Sequence, residues 1–237
     1  MPTSTVFIIA VTWSAIAFAG YYFLSNNIRF AQRIGILCGK FDQQGNRILL
    51  QRTIGLLFLG FFSILIIILL PGISPGAYGL KLKFSSPPPW WSVLLIPAVL
   101  LAGSYAAKQN GNLAQYPQVR ARAWTPAILV ISAISWILFL FAYEFLFRGF
   151  LFFASLDVLG TVPAIALNCA LYALAHVYKG PGETFGAIPV GVLLCYLTLS
   201  TGNIWSAVLI HSLMALSNEW YSLRFHPEME LLKNPAK

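Results

Sequence analysis

Four ionisable residues, Glu144, Arg148, His176 and His211, stand in stretches otherwise almost free of charge. Glu144 and Arg148 are four apart with the glutamate on the N-terminal side, the better orientation for a helical ion pair. The plain outcome is an internal salt bridge that lets both survive among apolar neighbours. The functional outcome is that Arg148 orients a working carboxylate. His176 follows Asn168 and Tyr172 at helical spacing, so the three share a face. His211 lies about two turns into an apolar run, with Ser212 beside it. A lone histidine in such a run is more often a satisfied polar group, and an interhelical hydrogen bond of that kind is worth about 0.6 kcal/mol. Together, one carboxylate and two imidazoles in apolar surroundings have the composition of a general acid–base or metal site. Cys169 and Ser212 are the candidate nucleophiles, and neither has a base at a diagnostic spacing.

The elements that must position these groups follow from composition. The chain is 58% hydrophobic and only 9% charged, against roughly 25% charged in a soluble domain. Its mean hydropathy is +0.75. These values exclude a soluble globular domain, a disordered chain and a coiled coil, and predict an all-α polytopic transmembrane bundle of about seven to eight helices. A span needs about 20 apolar residues, which gives spans at about 5–24, 54–71, 91–107, 125–155, 161–178, 186–200 and 203–221. The fourth, roughly 30 residues and about 45 Å long, exceeds a core of about 30 Å and must tilt, kink or divide. Spans four and five should be antiparallel around a turn near Asp157 to Val162. Glu144 and His176 then differ in depth by about 6 Å, and His211 lies about 12 Å below the interface. All three can share one depth. Residues 1–222 are thus expected to form a single transmembrane domain, with 223–237 a short polar cytoplasmic tail.

Charge sets the orientation. The chain has 15 Lys and Arg against 7 Asp and Glu, a formal +8. Arg29, Arg33, Lys40, Arg47, Arg52, Lys108, Arg120, Arg122, Lys179, Arg224, Lys233 and Lys237 fall on one side of seven crossings, and Lys81 and Lys83 on the other. The positive-inside rule makes the first side cytoplasmic, with the N-terminus outside and the C-terminus cytoplasmic, in a plasma (inner) membrane. The basic residues meet anionic lipid headgroups; nucleic acid is not an expected partner. Ser25 to Gln51 mixes Ile28, Phe30, Ile34 and Leu37 with basic residues and suggests a helix in the headgroup plane. Met1 to Thr5 lacks a basic residue, and the apolar run continues to Leu24, so the first span reads as retained rather than as a signal peptide. Cys38, Cys169 and Cys195, odd in number and without CxxC, give neither a disulfide framework nor a zinc ribbon.

The segments Tyr143-Glu-Phe-Leu-Phe-Arg-Gly-Phe-Leu151, Tyr172 to His176 and Asn203-Ile-Trp-Ser-Ala-Val-Leu-Ile-His211 resemble, in order, the motifs of the CPBP family. These are the CAAX prenyl protease and bacteriocin-processing, or Abi, proteins. The resemblance covers about residues 140–215 and implies an α-helical intramembrane endopeptidase, often labelled a metalloprotease, that cleaves a membrane-associated peptide or protein. In the family a glutamate and a histidine activate water, and the last histidine with an asparagine stabilises the oxyanion. Carried over, Glu144 is the general base, oriented by Arg148. His176 assists as base or ligand, and His211 stabilises charge on the scissile carbonyl oxygen. A divalent metal such as zinc, if used, would be held by His176, His211 and Glu144. The sequence departs from the pattern where Tyr143 replaces the first of two glutamates and Ala215 replaces the asparagine. Glu183 and Asn218 are the residues that could compensate. Those departures leave an alternative, a catalytically inactive relative acting as membrane scaffold or assembly protein. A small transporter is a third reading, against which stands the lack of visible inverted repeats.

Overall fold

A computed structural model describes residues 1–27 and 43–232. It is helical almost throughout. Helix α1 spans Thr3–Ser25. Next, α2 (Gln43–Gly55), a π-helical stretch (Leu56–Phe61) and α3 (Phe62–Leu69) run on as one rod. A 3₁₀ turn at Trp90–Leu94 leads into α4 (Leu95–Ala106), and α5 is the short Asn110–Leu113. A second long rod comprises α6 (Pro126–Glu144), a π-helical stretch (Phe145–Leu151) and α7 (Phe152–Leu159). Helices α8 (Thr161–Leu174), α9 (Pro181–Thr201) and α10 (Trp205–Phe225) complete the bundle.

Four of these stretches, Thr3–Ser25, Gln44–Leu69, Pro126–Leu159 and Pro181–Thr201, are long and apolar enough to cross a membrane, and Trp90–Ala106 and Thr161–Leu174 are shorter apolar helices. Side chains such as Ile8, Phe23, Phe61, Leu101, Val130 and Phe185 are exposed on the outside of the bundle, where acyl chains solvate them. Small residues let the rods approach inside: a Cβ on Gly60 would lie 2.8 Å from that of Ala142, and one on Gly103 2.6 Å from the Ser217 hydroxyl.

The fourth expected span is one 34-residue rod. It neither divides nor ends at Glu144, because a π-turn absorbs the change of register. Thr125 caps its start by accepting from the Ile128 amide at 3.3 Å, with Pro126 at the first helical position. Gly160, at φ 76°, makes the reversal into α8 where the sequence places it.

One expectation needs correction. The second rod begins at Gln43, not near residue 54. Arg52 does not stop it, because the guanidinium is buried against Glu219 of α10 at 3.7 Å rather than held in headgroups. The part of the expected surface helix at 28–42, with Arg29, Arg33, Cys38 and Lys40, lies outside the described residues. After α10, Glu230–Leu231 (β2) pairs in parallel with Ala123–Trp124 (β1), just before α6. Lys233 and Lys237 lie outside the described residues.

Candidate active site

The π-turn at Phe145–Leu151 starts beside Glu144 and contains Arg148. Such widened turns tilt carbonyls out of the helical ladder and recur at functional sites. Here the turn puts both side chains on one face, with Arg148 Nε 3.4 Å from Glu144 Oε2. The guanidinium lies 4.0 Å over the Tyr172 ring. From α10, His211 Nδ1 meets Glu144 Oε1 at 2.6 Å. Glu144 is fully enclosed at 0% exposure, while the His211 side chain keeps 14%. The carboxylate thus sits behind the imidazole.

His176 follows α8 and turns its Nδ1 onto the Tyr172 carbonyl oxygen at 2.8 Å. A carbonyl only accepts, so Nδ1 carries the proton and Nε2 is left free. The carboxylate imposes the same tautomer on His211. The two imidazoles stand edge-on to one ring, Tyr143, at 6.0 and 6.1 Å between centroids. Tyr172 lies 4.5 Å from His176 and 6.3 Å from His211.

Both imidazoles, with Tyr143 and Tyr172, line a cavity of about 850 Å³. Its lining includes apolar side chains, among them Trp136, Leu140, Ala187, Val190 and Met214, and polar ones, among them Gln115, Arg120, Lys179 and Glu183. The segment between α4 and α6, a strap, contributes Gln115, Tyr116, Gln118 and Arg120 to this lining. Tyr116 on the strap donates to Glu183 Oε1 at 3.1 Å, and Glu183 pairs with Lys179 at 3.0 Å. Burial pushes the Tyr116 phenol up to about 12. Arg120 holds the strap's own fold by donating to the carbonyls of Leu113 and Ala114.

The structure therefore brings Glu144, Arg148 and His211 into contact and sets His176 on the same cavity wall system. It does not put Glu144 on the cavity surface. Ala215 presents a methyl group there. Neither compensating candidate joins the imidazoles: Asn218 donates to Asn112 Oδ1 at 3.1 Å, and Glu183 is taken by Tyr116 and Lys179. Cys169 and Ser212 are buried away from the cavity lining.

Among the described residues no three His, Cys, Asp or Glu side chains gather to hold an ion. Each imidazole spends Nδ1 on a protein acceptor and keeps Nε2 free, as metal-ligating histidines do, and the Tyr143 ring stands beside both.

A second polar centre escaped the sequence reading. Arg52 Nη1 donates to Ser132 O (2.9 Å), Ser132 Oγ (3.2 Å) and Ser135 Oγ (2.9 Å), and Nη2 donates to Gln118 Oε1 (3.2 Å). Glu219 faces it and accepts from the Gln118 amide at 3.1 Å. One signal was available: Glu219 lies eight residues after His211, on the same helix face.

The bundle and its enclosed polar cluster define the class, a helical membrane protein with a cavity between its helices. More particularly, residues 123–217 match the family model described as Type II CAAX prenyl endopeptidase Rce1-like. That stretch carries all three motifs and supports membership of the chain in the CPBP family. No curated protein and no solved structure gives a match.

Proposed function

We propose that the protein is an intramembrane endopeptidase of the CAAX-protease type, in which Glu144 works through His211. The observation that carries this reading is the 2.6 Å contact between Glu144 Oε1 and His211 Nδ1, made behind a cavity that His211 and His176 both line. A carboxylate in that position fixes the tautomer and stabilises the imidazolium, as in hydrolytic triads. His211 Nε2 takes a proton from water as the water oxygen attacks the scissile carbonyl carbon, and later delivers it to the leaving amine. His176 Nε2 accepts the second hydrogen of the same water and orients it. Arg148 keeps the carboxylate in place by a charge-assisted contact. Arg120 and Lys179 of the lining lie on the cytoplasmic side by the positive-inside rule, so a membrane-associated peptide would enter from there, in a plasma (inner) membrane.

The test compares protein termini in membranes of cells making the native chain, Glu144→Gln, His176→Ala or His211→Ala. Termini generated by the native chain should fall about 10²-fold or more in each variant. Undiminished cleavage in Glu144→Gln and His176→Ala together would refute the mechanism. A cellular phenotype that survives Glu144→Gln but is lost in the cavity-filling Ala187→Trp would mark a cavity that binds without cutting.

A further inference from the structure

Asn168 shares a helix face with Tyr172 and His176, yet nothing in the proposed reaction uses it. It is fully buried in α8. Its Nδ2 donates to the Phe147 carbonyl oxygen at 2.5 Å, in the middle of the π-turn. The same oxygen accepts from the Phe152 amide, so the carboxamide takes its second lone pair. On the other side Asn168 Oδ1 accepts from the Cys195 thiol of α9 at 3.3 Å. Asn168 thus ties α8 and α9 to the one turn on which Glu144 and Arg148 depend. A π-turn is rare because it makes poorer backbone contacts than a regular helix. An external donor that binds only the tilted carbonyl favours the widened form over the regular one.

Resting on the proteolytic reading above, we infer that Asn168 is a positioning residue: it holds the Phe145–Leu151 turn in its widened form and so holds Glu144 against His211. Without that donor the turn relaxes toward a regular helix, the register of the rod changes, and Glu144 leaves His211 Nδ1. A displacement of about 1 Å in such a group costs on the order of 10²-fold in rate.

The test uses the full chain, labelled with ¹⁵N-histidine, in phosphatidylcholine–phosphatidylglycerol nanodiscs. The chain has 3 histidines, so His211→Gln assigns the resonance. In the native chain the His211 Nδ1 proton should show the strong deshielding of a short contact to carboxylate, and Glu144→Gln should abolish it. Asn168→Leu, which keeps the branched shape and removes the donor, should move the signal at least half-way to its position in Glu144→Gln. Cys195→Ala, which leaves the donor in place, should leave the signal where it is. A native His211 signal in folded Asn168→Leu overturns the proposal, as does a shift in Cys195→Ala equal to that in Asn168→Leu. If Asn168→Leu does not fold, Asn168→Ser, which cannot reach the Phe147 oxygen, is read by the same criteria. Where turnover is measurable, kcat should fall about tenfold or more with KM unchanged. A native chain without peptidase activity would remove the proteolytic reading and leave the resonance experiment standing.

Discussion

Replacing Arg52 by methionine tests the polar centre that ties the bundle together below the strap. The guanidinium makes four donor contacts between 2.9 and 3.2 Å, lies 4.3 Å over Trp136, and faces Glu219 Oε1 at 3.7 Å. At that separation, with an effective dielectric of about 20, the attraction is about 4.5 kcal/mol. Methionine matches the stem and keeps the apolar contact with Trp136, but leaves the Glu219 carboxylate enclosed with, among the described residues, the Gln118 amide and the Ser132 hydroxyl as donors. Removing one partner of a buried pair costs about 3–5 kcal/mol. For a chain of this size that lowers Tm by roughly 6–20 °C. Removing both charges is a different perturbation. In Arg52→Met/Glu219→Leu no charge is stranded, and Ser135 already bonds back to the Ser132 carbonyl. The double variant should recover at least half of the loss. Thermal unfolding of the four proteins in nanodiscs completes the cycle. A single variant within about 2 °C of the native chain, or a double variant less stable than both singles, would refute the assignment of a coupled buried pair.

Two further outcomes follow from the site. The Tyr116 phenol, raised by burial from its ordinary value to about 12, contributes stability that is complete below pH 10 and is lost as pH rises to 12. Stability should fall by about 1.4 kcal/mol per pH unit in that window, and Tyr116→Phe, followed by denaturation against pH, should flatten this part of the profile. Because the proposed reaction activates water with the two imidazoles alone, cleavage should be unchanged after dialysis against a chelator; loss of activity with recovery on adding zinc would show that their free Nε2 atoms hold a metal instead.

The sequence exposes the pieces of this site better than their arrangement. Ionisable groups in apolar runs are costly enough to stand out, so Glu144, Arg148, His176 and His211 are visible from composition alone, and the turn at Gly160 is visible from its punctuation. What is hidden is hidden for physical reasons. A helix solvated by lipid is apolar on every face, so no amphipathic period marks where α6 widens into its π-turn. The pairing of Arg52 with Glu219 joins helices far apart in the chain, and a rule that assigns arginines to the interface reads Arg52 as a boundary. The strap carrying Tyr116 has neither helical nor alternating period; its position comes from individual contacts to α9 and α10, none of which is local.

The exchange of glutamate for tyrosine at position 143 has a consequence for where the proton can go. In the pattern that the motifs resemble, two adjacent glutamates precede the arginine, where this sequence has Tyr143 and Glu144. Here the aromatic ring occupies the place beside both imidazoles, packed 4.8 Å from Phe147 and 5.8 Å from Tyr172. The remaining carboxylate is sealed by Arg148 on one side and His211 on the other. A carboxylate without contact to the cavity can act on water only through a group that has such contact, and His211 is the one bonded to it. The proposed reaction therefore depends on the imidazole tautomer, which Glu144 sets, and on the π-turn, which determines where Glu144 stands.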